Sequence, residues 1–246
     1  MTLLSDQTRD IALEVAYNVR HLGGFTASNG LLTSDQFIRC GSLNRLTGVG
    51  IDRLRELDVR AVIDLRSPQE QRTEPTGDVG RAGIRVISAP VFQDDLTPAR
   101  YQGEWVATTV AYERLLAAGM PAFRTLCETI ADCDGAVLFH CTAGKDRTGV
   151  AAALLLDFAG VDHSQITADH ARSADLLQSE FARFAVDMKE RGFEPYQVDQ
   201  MLSSKAEDMA ATLDHISTRW GSSEGYLAAA GLSETARSAV RARIVA

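Results

Sequence analysis

The chain has four cysteines, Cys40, Cys127, Cys133 and Cys141, and no two of them stand in C-x-x-C spacing. Structural metal centres bring their ligands in close pairs, so a zinc site is not expected. Four cysteines in 246 residues do not make a disulfide framework either. The expectation is reduced thiols in a cytoplasmic setting. The first ten residues, MTLLSDQTRD, carry charges where a signal peptide needs an apolar core, so no leader is expected. Export by an unconventional route stays open. Long apolar runs are missing too. The longest, near 150–156, stops at Asp157, well short of a membrane span. Nor is there an excess of positive charge. The net charge is −8, which opposes general attraction to nucleic acid or to an anionic membrane surface. Internal repeats and low-complexity segments are absent.

What is present is an ordinary globular composition, with 45% hydrophobic and 24% charged residues. A single domain over 1–246 is expected. HLGGFTASNG at 21–30 reads as a turn or small hairpin, and FIRCGSL at 37–43 as a short strand. VGIDRLREL at 49–57 has helical spacing. VRAVIDLR at 59–66 is a strand ended by Ser67-Pro68, and IRVISAPV at 84–91 is another, stopped by Pro90. Residues 103–118 and 121–132 read as two helices parted by Gly119-Met120-Pro121. GAVLFHC at 135–141 is apolar throughout, as a central sheet strand should be. Residues 147–159 form a helix apolar nearly all round. From 163 to 220 the chain is mostly helical, with a break at 192–195, and a last helix runs near 232–243. The fold class expected is α/β, with helices alone toward the C-terminus.

Between the strand ending at His140 and the following helix lies the stretch CTAGKDRTG, residues 141–149. A loop of this length between strand end and helix start can wrap a tetrahedral anion. The backbone amides of Thr142, Ala143, Gly144 and Lys145 point inward, and the helix N-terminus adds unpaired donors. Arg147, at the helix start, can grip two oxygens with its fork. A thiol at the head of this cradle holds its anion where the donors converge. A phosphate bound there has its phosphorus next to the Cys141 sulfur, the arrangement for phosphoryl transfer through phosphocysteine. Thr148 is placed to hydrogen-bond the sulfur in the second step. Gly144 and Gly149 allow close backbone approach. The cradle supplies the positive charge that a metal would supply, so no metal or other cofactor is expected.

HCTAGKDRTG resembles the signature of the cysteine-dependent tyrosine phosphatase superfamily: His-Cys, five residues, Arg, then Ser or Thr. The Lys-Asp pair before the arginine is similar to a bacterial branch that includes lipid-phosphatase-like members. NVRHLGG at 18–24, RCGSL at 39–43 and IDLRSPQE at 63–70 resemble further elements of that branch. His21 stands where the branch usually has Asp. The resemblance spans roughly residues 17–160 and implies a central, mostly parallel sheet flanked by helices, with a helical lid and C-terminal helices. It implies hydrolysis of phosphomonoesters, phosphotyrosine first, with phosphoserine, phosphothreonine and phosphoinositides open. The partner is then a phosphorylated protein or lipid headgroup, with no nucleic acid and no stable membrane association. Residues 163–204 correspond to the branch's lid, with a plain packing hairpin as the alternative.

In that branch the loop Asp acts as the general acid, here Asp146. The alternative for Asp146 is a residue that orients Arg147. Asp94 and Asp95, after a strand, are further candidates. Asp64 is another, although an ion-pair cluster of Asp64, Arg66 and Glu70 is the preferred reading. Lys145 either adds charge at the mouth, suiting doubly phosphorylated ligands, or is a solvent-facing loop residue. Cys40, Cys127 and Cys133 are expected to pack, with a reversible Cys40–Cys141 disulfide as the lesser reading. His140 is expected to orient the loop. His163, His170 and His215 are expected at the surface, and Trp105 and Trp220 as packing anchors. Arg20 is expected in an ion pair rather than on phosphate.

A nucleotide P-loop does not fit, because position 139 is Phe and Asp146 follows Lys145. Arsenate reductase or another anion-loop cysteine enzyme leaves the combination of His140 with Arg147-Thr148 unexplained. A phosphate-dependent binding module is the remaining alternative, although both Cys141 and Arg147 are intact.

Overall fold

The computed structural model describes residues 9–93, 106–190 and 192–245. A five-stranded sheet forms the centre. Its strands are β1 (Arg20–His21), β2 (Phe37–Cys40), β3 (Val59–Asp64), β4 (Arg85–Ser88) and β5 (Ala136–His140), in the order β1-β2-β5-β3-β4. The β1–β2 pair is antiparallel and the other three pairs are parallel. β5 has neighbours on both sides and every residue buried, which is why AVLFH is apolar without alternation.

Eleven described α-helices surround the sheet, beside one 3-10 helix at Gly77–Ala82. They are α1 (Gly48–Glu56), α2 (Pro68–Thr73), α3 (Thr108–Asp132), α4 (Asp146–Phe158), α5 (His163–Ala171), α6 (Ser173–Leu176), α7 (Gln178–Glu190), α8 (Pro195–Leu202), α9 (Ala206–Trp220), α10 (Ser223–Ala229) and α11 (Glu234–Ile244). One face of the sheet carries the larger core, where Phe37, Ile63, Val137 and Phe139 meet residues of α3, α4 and α9. The other face holds a smaller cluster built on Ile38, Cys40, Val62 and Leu138, closed by Leu54 of α1. This is an α/β architecture with helices on both faces.

Two elements depart from the expectations. The segment 108–132 is one continuous helix, not two. Pro121 removes one backbone donor, but Leu115, Leu116, Gly119, Ala122, Phe123 and Leu126 form an unbroken buried face across it. A side chain at Gly119 would collide with the Phe123 ring, at 2.6 Å, so glycine serves packing here rather than a break. Ser67-Pro68 ends β3 and also starts a helix. Ser67 Oγ accepts from Glu70 N at 3.2 Å and Glu70 Oε2 accepts from Ser67 N at 2.8 Å, a capping box with proline at the first turn. At the edge strand, His21 Nδ1 accepts from Gly23 N at 3.0 Å, so this histidine supports the Gly-Gly turn as an aspartate would.

Candidate active site

The stretch 141–147 leaves the C-terminal end of β5 and enters α4 at Asp146. Because β5 is the middle strand, the loop lies beside the segments that follow β2 and β3, and these build its walls. From the β2 side, Ser42 N donates to Thr142 O at 2.9 Å. Gly144 sits at φ +68°, and a Cβ there would fall 2.5 Å from the Cys40 carbonyl. Only glycine fits both the angle and the space.

The back of the loop is held by carbonyl contacts. Asn18, itself at φ +57°, donates Nδ2 to Ala143 O at 3.2 Å and to Gly144 O at 2.9 Å. Tyr17 Oη donates to Thr142 O at 3.0 Å. Arg39 Nη2 donates to Gly144 O at 2.9 Å. With these carbonyls tied backward, the loop amides are left to face the other side. Arg39 is fully buried, and burial followed by repulsion from Arg20 lowers its pKa to about 10. Asp169 of α5 anchors it through Oδ2 at 2.7 Å and anchors Arg20 through Oδ1 at 2.9 Å, with Arg9 at 3.7 Å. Burial opposes ionisation of Asp169, but Arg20 and Arg39 outweigh it and hold the carboxyl well below the usual range. Arg20 is thus in the expected ion pair. Asp169 was not singled out by local pattern, since nothing near it in sequence marks it.

Arg147 is held by α2. Its Nη1 donates to Glu70 Oε2 at 2.6 Å and its Nη2 to Glu70 Oε1 at 2.8 Å, while Nη2 also reaches Thr142 Oγ1 at 3.1 Å. Burial works against both charges, yet the paired fork lowers the Glu70 pKa strongly and raises that of Arg147. The expected cluster of Asp64, Arg66 and Glu70 is therefore corrected. Asp64 and Arg66 do pair, at 2.7 Å, with Asp64 buried. Glu70 leaves them because its capping position on α2 turns its carboxylate toward the loop. Asp64, locked by Arg66 and kept ionised by those bonds against the cost of burial, is not poised to give a proton. Asp94 and Asp95 lie outside the described residues, as does Trp105.

Cys141 is buried, and a negative charge on it favours the charged forms of both Arg147 and Arg39. The Thr148 hydroxyl is buried with no hydrogen-bond partner in the structure. His140 Nδ1 lies 3.2 Å from Cys141 O, and burial lowers the pKa of its imidazole. Asp146 begins α4. It accepts from Tyr112 Oη at 2.7 Å, and Lys145 Nζ is 3.6 Å away.

Lys145 corrects the solvent-facing reading. It is buried, and its Nζ donates to Met201 O and to Ser203 O, the latter at 2.7 Å, at the C-terminal end of α8. A cation there satisfies carbonyls that the helix end leaves unpaired. His170 is likewise buried rather than at the surface, because α5 docks against the loop. His163 pairs with Asp157 at 2.8 Å and is exposed. His215 is half-buried, 3.6 Å from Glu113. Trp220 packs edge-on against Tyr226 at 4.9 Å. Cys40, Cys127 and Cys133 are buried and free, and burial pushes the Cys40 and Cys127 thiols up, the latter to about 12. Cys40 packs in the smaller cluster, whereas Cys141 joins the larger one. Among the described residues no cluster of His, Cys, Asp and Glu is arranged to hold a metal ion, and no helix is long and apolar enough to cross a membrane.

Comparison with known proteins gives a consistent picture. The family model described as "Tyrosine phosphatase family" matches residues 11–246. A tyrosine-protein phosphatase of Nostoc commune is 35% identical over 82% of this chain and 72% of its own length. A putative tyrosine-protein phosphatase of Cupriavidus necator is 31% identical, over 89% of this chain and 82% of its own. The triple specificity protein phosphatase PtpB of Mycobacterium tuberculosis is 29% identical over 82% of this chain and 88% of its own.

Proposed function

Because this chain belongs to the tyrosine phosphatase family, we propose that it hydrolyses phosphotyrosine through a phosphocysteine intermediate on Cys141. The observation that carries this reading is the Cys141-to-Arg147 loop, with its carbonyls tied back by Asn18, Tyr17 and Arg39 and its arginine fork fixed by Glu70. Donors arranged in advance stabilise charge without reorganising during reaction.

In the first step the Cys141 thiolate attacks phosphorus, and the S–P bond forms as the P–O bond to the leaving group breaks. Arg147 and the amides of Thr142, Ala143, Gly144 and Lys145 hold the equatorial oxygens. The leaving oxygen takes its proton from Asp146, a transfer worth roughly 10²–10⁴-fold. In the second step water attacks the phosphocysteine and gives a proton to the Asp146 carboxylate. Phosphate leaves and the thiolate returns. The unpartnered Thr148 hydroxyl supports this step by hydrogen-bonding the departing sulfur.

Residues 178–202, α7 and α8, serve as the cover within the 163–204 segment. Lys145 grips the end of α8, Gln200 Nε2 donates to Val106 O at 3.1 Å, and Phe184 of α7 lies edge-on to Tyr17 at 5.9 Å. Residues Asp169 and His170, earlier in that segment, are buried supports. Phosphoserine, phosphothreonine and phosphoinositide headgroups present the same phosphomonoester, and the mycobacterial relative carries triple specificity in its name. The test is hydrolysis of an aryl phosphate in excess chelator. Wild type should turn over, and Cys141→Ser should bind phosphate without turnover. Equal rates for the two would end the cysteine mechanism. Phosphopeptide and phosphoinositide panels then rank the substrates.

A further inference from the structure

We propose that Tyr112 and His170 are positioning residues that hold the carboxyl of Asp146 as proton donor. This deepens the reading of Asp146 as the acid and rests on it. Tyr112 comes from the middle of the fold: it is a buried residue on the first turns of α3. Its hydroxyl lies between two groups, Asp146 Oδ1 at 2.7 Å and His170 Nε2 at 3.4 Å. The Tyr112 and His170 rings meet edge to face, with centroids 5.8 Å apart at 89°.

The direction of this chain follows from its far end. His170 Nδ1 is buried with no hydrogen-bond partner. An unpaired buried N–H is rarer and costlier than an unpaired lone pair. The imidazole proton is therefore assigned to Nε2, facing the tyrosine oxygen. Burial, then Arg39, keeps the ring neutral, with its pKa lowered to about 3. Tyr112 accepts from His170 and sends its own proton to Asp146. Gly149 makes this approach possible, because a Cβ there would come 2.9 Å from His170 Nδ1.

A carboxyl that accepts at Oδ1 carries its acidic proton on Oδ2. That proton passes to the leaving oxygen as the P–O bond breaks, and the Tyr112 donor then stabilises the carboxylate left behind. Tyr112 also competes with Lys145, whose ammonium lies 3.6 Å from the same Oδ1. Without the hydroxyl, the existing Lys145 pair closes on the carboxylate, and a full ammonium charge favours the ionised form more than a neutral hydroxyl does, which works against proton donation.

The test is a leaving-group series of aryl phosphates, from strongly acidic nitrophenols to phenol, with wild type, Tyr112→Phe, His170→Leu, His170→Gln and Asp146→Asn. A lost general acid slows poor leaving groups and spares good ones. Tyr112→Phe should lose about 10–100-fold on phenyl phosphate, a part of the full acid contribution, and under about twofold on the best leaving group. Its slope should steepen toward that of Asp146→Asn. His170→Leu should shift in the same sense, and His170→Gln, which keeps a donor, should recover part of the loss. A uniform loss across the series in Tyr112→Phe and His170→Leu, or no loss, beside a steepened Asp146→Asn, overturns the positioning role and leaves Asp146 as acid. An unsteepened Asp146→Asn overturns the acid reading and this inference with it.

Discussion

Substituting Glu70→Gln separates the charge of Arg147 from its alignment. In the wild type both guanidinium nitrogens bond to the carboxylate, at 2.6 and 2.8 Å, with the two side chains 16% and 28% exposed. Exposed ion pairs contribute about 0–1 kcal/mol, whereas breaking a fully buried one costs about 3–5 kcal/mol. This pair lies between, and glutamine keeps one acceptor oxygen, so a stability loss of about 1.5–2.5 kcal/mol is expected. If the same alignment is lost from the transition state, kcat falls about 10–70-fold. KM should stay level or fall, because an arginine without its counter-charge attracts the phosphate dianion more strongly in the ground state. Steady-state kinetics on an aryl phosphate reads both numbers. The sign with pH follows from the lowered Glu70 pKa. A carboxyl depressed in the folded state contributes stability above its unfolded value of about 4.3, and that contribution is lost as pH falls below it. The Tm gap between wild type and Glu70→Gln should be full at neutral pH and shrink under acid. Unchanged kcat, a raised KM alone, or a gap constant down to pH ~2.5 would refute the positioning role assigned to Glu70.

Two further substitutions test the loop's supports. Lys145→Met removes the cation from the α8 carbonyls, and should cost about 1–2 kcal/mol while raising hydrogen exchange across 178–202 more than elsewhere. Exchange unchanged in that segment would show that Lys145 does not secure it. Gly144→Ala combines φ +68° with a 2.5 Å clash against backbone. It should destabilise by about 2–4 kcal/mol in urea unfolding and abolish turnover, since nothing flexible can yield; a folded variant of wild-type Tm would contradict the packing described around Cys40.

The parts of the site that were legible are those contiguous in the chain. Cys141, Arg147 and Thr148 belong to one strand–loop–helix unit, so their spacing alone predicts a cradle. Glu70 lies in a Ser67-x-x-Glu70 cap that the reading of Ser67-Pro68 as a strand end missed, and even that cap says only that the carboxylate starts a helix. It does not say that the helix start faces Arg147, because that depends on β3 lying beside β5. The two helices expected around Pro121 failed for a related reason. Local propensity marks a breaker, while a continuous buried face on α3 overrides it.

The sequence by itself carried the family resemblance and the pattern on which the proposed chemistry rests: a strand–loop–helix stretch with Cys141 at its head and Arg147 at the helix start, an α/β alternation whose most apolar strand leads into it, and an acidic net charge. These are written in spacing and periodicity, which act over a few residues. Tertiary structure alone decided what holds the loop in its working shape. Asn18, Arg39, Tyr112 and the adjacent pair Asp169 and His170 come from four separate places along the chain, and each is buried where it meets the loop or its neighbour. Buried polar groups must be paired, and the pairing is made by whichever elements the sheet order brings together. That order rests on long-range packing, which no short window of sequence contains.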